Sequence, residues 1–123
     1  MANLSNWYES KPVETQRLID LVCEKTCFVK TEQQYDEFLT AINQCQIHSA
    51  QDFSDLFFAE YQGDSDDVVD IFIKDWLKLA KGCLPTRLLK ERKPQHLWKQ
   101  IVRFDFRKVI VNGNTYFIKR TLS

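Results

Sequence analysis

Cys23, Cys27, Cys45 and His48 are the side chains of this 123-residue chain whose types and spacing come nearest to a chemical site. Cys23-x3-Cys27 followed by Cys45-x2-His48 matches the ligand count of a Cys3His zinc centre. Structural zinc sites hold their ligands on tight turns with recurrent short spacing, whereas Cys23 and Cys27 fall in a predicted helix beside Leu18 and Val22. A free cysteine in that setting packs as a small hydrophobe. No metal ligand and no cofactor is assigned. With Cys83 the chain has four cysteines, and without an apolar leader after Met1-Ala2-Asn3-Leu4-Ser5 they are expected to stay reduced.

Catalysis finds little to work with. Nucleophilic mechanisms need a Ser or Cys with a base in hydrogen-bond reach, and the imidazoles are His48 and His96 alone. His48 precedes Ser49 at a predicted helix start and His96 follows Pro94, neither with a local partner. Gly63, Gly82 and Gly113 stand singly, so no phosphate-cradling loop exists, and the paired Asp66 and Asp67 read as helix caps. No catalytic residue is assigned, and a non-enzymatic protein is expected.

Charge is sorted along the chain. The formal net charge is zero, yet residues 1–75 hold fifteen Asp/Glu against five Lys/Arg, and residues 76–123 hold two against twelve. Two opposed halves, −10 and +10, bear on partners and steering rather than on fold. Carboxylates one helical turn apart can follow a duplex phosphate path, so Asp52, Asp55, Glu60, Asp64, Asp66, Asp67 and Asp70 form the candidate acidic partner surface. The alternative is a nucleic-acid-binding stripe of Arg87, Lys90, Arg92, Lys93, Lys99, Arg103, Arg107 and Lys108, interleaved with Trp98, Phe104 and Phe106. A third reading is a homo-oligomer in which opposite halves meet across subunits. The bland reading of each block is a solvated face.

These side chains need elements to position them. Pro12 opens a first helix through Leu18, Leu21 and Val22 to about Thr26. Thr31 and Gln34 form a capping box before Tyr35, Phe38, Leu39 and Ile42, a second helix. Ser49 caps a third, with Phe53, Leu56, Phe57 and Tyr61 as its stripe, stopping near Gln62 with Gly63 in the left-handed closing position. A fourth starts among Asp64, Asp66 and Asp67 and runs through Phe72, Ile73, Trp76 and Ala80 to Gly82. Leu84-Pro85 makes a turn, and Pro94 opens a short helix through Leu97, Trp98, Ile101 and Val102.

The chain then changes period. Phe104 to Val111 and Thr115 to Lys119 are strands joined by Asn112-Gly113, the strongest short hairpin signal, which pairs Ile110 with Thr115, Val109 with Tyr116 and Lys108 with Phe117. With 44% hydrophobic and 13% aromatic residues, one compact domain over 1–123 is expected, α+β, four to five helices packed on a C-terminal antiparallel hairpin. No run approaches the roughly 18–20 apolar residues of a membrane span, and a cytoplasmic location without membrane contact is expected.

Residues 50–68, from Ala50-Gln51-Asp52-Phe53 through Tyr61-Gln62-Gly63-Asp64-Ser65 to Val68, with the later Leu84-Pro85 and the closing Gly113-Asn114-Thr115-Tyr116, resemble the ArdA-type antirestriction proteins. The matched positions are Phe53, Tyr61, Gly63, Ser65, Leu84, Pro85, Gly113 and Tyr116, and the likeness spans roughly residues 50 to 118. It implies a counter-defence inhibitor from a mobile element or phage whose acidic surface imitates DNA and occupies a restriction or other DNA-processing complex. Members of that family are longer and acidic throughout, so the basic half of this chain requires its own role.

Overall fold

The computed structural model describes residues 5–80, 97–99 and 102–120. Helix α1 (Ser5–Glu9) is a short lead-in to α2 (Val13–Lys25), which is preceded by Pro12 and buries Leu18, Ile19 and Val22. Helix α3 (Glu32–Asn43) begins as its sequence demands. The Thr31 hydroxyl accepts from the Gln34 amide while the Gln34 side chain accepts from the Thr31 amide, so two orphan donors are satisfied reciprocally. Its buried face is Tyr35, Phe38 and Ile42.

The third predicted helix is the main correction. Ser49 caps α4 (Ala50–Leu56) by accepting from the Asp52 amide, but the helix stops at Leu56 and the chain turns into strand β1 (Phe57–Tyr61). Phe53, Leu56, Phe57 and Tyr61 fit a helical stripe, yet Phe57 to Tyr61 also fits a pleated strand rich in aromatics. Pairing with residues more than fifty positions later decides between them. Gly63 does take a positive φ of 87°, as expected, but it closes a strand rather than a helix.

Helix α5 (Asp67–Ala80) follows, and residues 97–99 are helical. A 3₁₀ turn (Val102–Phe104) replaces the end of the short helix expected from Pro94 to Val102. The Leu84-Pro85 turn and the Pro94 helix start lie outside the described residues. Strands β2 (Phe106–Val111) and β3 (Asn114–Lys119) form the expected hairpin, with Ile110 opposite Thr115, Val109 opposite Tyr116 and Lys108 opposite Phe117. Asn112 and Gly113 take φ of 54° and 77°, the two positive values a type I′ turn needs. The α+β class therefore stands, with one strand more than the sequence announces.

The sheet has the order β1-β3-β2, antiparallel throughout, with a bulge between Phe57 and Ala59. Because side chains alternate across a strand, the central β3 feeds two cores. Tyr116 and Ile118 join Leu18, Val22, Phe38, Ile42 and Phe53 from α2, α3 and α4. On the opposite face Phe117 joins Val69, Phe72 and Ile73 of α5, together with Leu97, Val102 and Phe106. Burial on both faces makes β3 the most protected element of the sheet. Among the described residues no helix is long and apolar enough to cross a membrane.

Candidate interaction surface

Among the described residues the two ends of the sheet differ in charge, with Asp64, Asp66, Asp67 and Asp70 at one and Arg103, Lys119 and Arg120 beside Asp105 at the other. At one end, Tyr61 pairs with Thr115 beside the hairpin turn. There the Gly63 amide donates to Asn114 Oδ1 at 3.0 Å, and Thr115 Oγ1 donates to the Gly63 carbonyl at 2.7 Å. These bonds anchor the loop that follows, Asp64-Ser65-Asp66, and the first turn of α5 with Asp67 and Asp70. Asp64, Asp66 and Asp67 are exposed and Asp70 is half-buried. Carboxylates suit this place because the helix start is the positive end of the macrodipole.

At the other end, Phe106 pairs with Lys119. The Arg120 amide donates to the Asp105 carbonyl at 2.8 Å, and Arg120 Nε donates to the Arg103 carbonyl at 2.9 Å. The Arg103 guanidinium sits 4.9 Å from the ring centroid of Phe104, which is 62% exposed. At about 3.3 Å per residue, the six-residue strand β3 sets this basic corner roughly 17 Å from the acidic loop.

The structure does not bring all the candidate residues together. Asp55 is exposed and accepts from Gln51 Nε2 at 2.9 Å, while half-buried Asp52 accepts from the His48 amide at 3.0 Å; both precede β1, whereas Asp64 follows it. Glu60 leaves the acidic surface altogether. As a strand residue it turns inward, where its carboxylate accepts from the amides of Cys27 at 2.6 Å and Phe28 at 3.2 Å and from the Tyr116 hydroxyl at 2.8 Å. The candidate carboxylates from Asp52 to Asp70 therefore share no single run of helix, because β1 interrupts the helices expected to carry them.

Of the basic candidates, Lys99, Arg103 and Lys108 are exposed, and half-buried Arg107 donates to the Gln44 carbonyl at 3.3 Å on the other face of the sheet from Lys108. Arg87, Lys90, Arg92 and Lys93 lie outside the described residues. Lys119 and Arg120 complete the corner and were missed by sequence reasoning. Their signal was position, since the residues at the end of β3 must fall beside those at the start of β2 once the hairpin closes.

Among the described residues no group of three or more His, Cys, Asp or Glu side chains is placed to hold a metal ion. Cys23 and Cys27 are exposed and Cys45 is buried. Burial pushes the Cys45 thiol up, and the charges of Arg107 and Arg120 only partly oppose it, which favours an unreactive thiol.

The pKa of all four phenols is raised, and the sheet holds two of them. Tyr61 donates to Asp75 Oδ2 at 2.6 Å and Tyr116 donates to Glu60; burial first, then these hydrogen bonds and the carboxylate charges, raise both well above the usual tyrosine range. In the unfolded chain they ionise near pH 10. Their contribution is complete below about pH 10 and decays above it, where the unfolded state releases protons that the folded state retains. Urea midpoints should stay level from neutral pH to about 9 and fall from about 10 to 11, less steeply in Tyr61→Phe. A flat profile through pH 11 would remove this linkage.

No protein-family model, curated protein or solved structure matches this chain.

Proposed function

We propose that this chain is a non-enzymatic binding protein that engages a DNA-processing complex through an acidic surface made by Asp64, Asp66, Asp67 and Asp70. The observation that carries the reading is the placement of these carboxylates on one anchored loop and helix start, at the sheet end opposite Arg103, Lys119 and Arg120. A field divided in this way steers a partner with a basic groove and orients the encounter. The likeness to ArdA-type antirestriction proteins favours a restriction or related counter-defence target, and the matched Tyr61, Gly63 and Ser65 belong to the segment that builds the acidic corner.

The test is capture of restriction and CRISPR components by the purified chain across a salt series. Capture should be strong at low salt, weaken as salt rises, and fall at least about tenfold in a variant with Asp64, Asp66 and Asp67 all changed to Asn, with circular dichroism unchanged. Absence of any salt-sensitive capture would sink the reading.

One observation favours a second reading. The exposed Phe104, with Arg103 over its ring and Arg120 alongside, is the kind of stacking and phosphate-neutralising corner that single-stranded nucleic acid uses. Gel shifts distinguish the two, because a phosphate binder retards an oligonucleotide and loses affinity steeply with salt, whereas a DNA-like decoy retards none.

A further inference from the structure

A cleft of about 260 Å³ opens where α1, α2 and α3 meet, and its walls are the rings of Trp7, Tyr8 and Tyr35 with Cys23 and the carboxylates of Glu9 and Asp20. We propose that this cleft binds a quaternary alkylammonium group. It is built from elements that hold none of the acidic loop, and the proposal is independent of the reading above.

Three observations converge on this ligand chemistry. Three aromatic residues line the cleft, and the ring quadrupole attracts a cation placed within about 6 Å of a centroid. Trp7 already receives one ammonium: Lys11 Nζ lies 5.1 Å from its centroid, held on its other side by Asp36 Oδ1 at 4.0 Å. Asp20 and Glu9 add negative potential, and Lys11, the cation beside the Trp7 ring, is itself paired with Asp36.

The choice of a quaternary centre over a primary amine follows from hydrogen bonding. A primary ammonium carries three donors that need acceptors. The Asp20 carboxylate accepts from the Tyr8 hydroxyl at 3.0 Å, which orients both side chains, and the ring faces of Trp7 and Tyr35 offer no acceptor to an N–H pressed against them. A methylated centre has no N–H to satisfy and is weakly hydrated, so ring faces suit it. Size agrees, since about 260 Å³ is below the roughly 300–1,000 Å³ of clefts that enclose drug-sized molecules. The ring of Trp7 is set by packing rather than by its own donor. Its Nε1 is buried without a partner, and its centroid lies 5.6 Å from that of Tyr35.

Such a group reaches a protein either as a small free cation or as a trimethylated lysine, and the experiment separates these sources. The full nitrogen-labelled chain is titrated by NMR with tetramethylammonium, with choline, with the neutral carbon isostere of choline, dimethylbutanol, and with a short peptide bearing trimethyl-lysine or plain lysine. Saturable shifts should centre on Trp7, Tyr8, Asp20 and Cys23, with choline bound about tenfold more tightly than its isostere. Tyr8→Leu should weaken choline about fivefold and Asp20→Asn about threefold, the latter being a surface change that leaves the fold intact. Preference for choline assigns a free cation, and preference for the trimethylated over the plain peptide assigns a modified chain. Equal affinity for choline and dimethylbutanol, or shifts that never saturate at this cleft, would overturn the proposal.

Discussion

Phe72→Ala is expected to lower the unfolding free energy by about 4 kcal/mol, the upper part of the range for a fully buried Phe. Phe72 has no exposed surface, stacks on Phe117 with ring centroids 3.8 Å apart, and meets the edges of Phe58, Phe106 and Trp98 at 5.6, 5.3 and 6.2 Å. Truncation removes the contacts of five aromatic partners, Tyr61 included, at once. It leaves a cavity that the surrounding rings, themselves held by the sheet, can fill only in part. Against a typical domain stability of about 5–15 kcal/mol, such a loss leaves a marginal protein. Urea unfolding followed by tryptophan fluorescence measures it, and Phe72→Leu, which refills much of the volume, should cost about half as much. A loss below about 1 kcal/mol would show that α5 does not pack on β3 as described.

Glu60→Ala should cost about 3 kcal/mol, a large effect for a residue that sequence reasoning set on the surface. Its carboxylate gathers three donors, the amides of Cys27 and Phe28 and the hydroxyl of Tyr116, and so ties the segment after α2 to the sheet. Charge-assisted bonds are stronger than neutral ones, and a buried donor left without its acceptor adds a desolvation cost. Tyr116 is 1% exposed, so its hydroxyl has no water to turn to. A double-mutant cycle isolates this term. Tyr116→Phe alone should cost about 1 kcal/mol, and in the Tyr116→Phe background Glu60→Ala should cost about 1 kcal/mol less than alone, because no hydroxyl is then orphaned. Strict additivity would mean that the bond between Glu60 and Tyr116 does not hold in solution.

Glu60 also shows why the candidate surface was legible only in part. Its side chain, like those of Asp64, Asp66 and Asp67, counts as one negative charge in a composition tally, and nothing within a helix turn of it announces three donors approaching from Cys27, Phe28 and Tyr116. The acidic loop itself was legible because a cluster of Asp before an apolar run is a local helix-start signal. The basic corner was half legible. Arg103 stood in the basic stripe, but Arg120 reaches it through the closing of the hairpin and a bond to the Arg103 carbonyl.

What the amino-acid order determined by itself are the features whose cause lies within a few residues. The Thr31–Gln34 box starts α3 through bonds three positions apart, and Asn112-Gly113 sets the turn, and with it the register of β2 on β3, through two positive φ values. Tertiary structure alone decided the fate of Phe57 to Tyr61. That segment suits a helix or a strand, and only β3, more than fifty residues later, offers the backbone partners and the two buried faces that make it a strand. The same non-local pairing turned Glu60 inward, split the acidic residues to either side of β1, and set Asp64, Asp66 and Asp67 at the sheet end away from Arg103, Lys119 and Arg120. Strand pairing between distant segments depends on which surfaces meet, and local propensity carries no record of that.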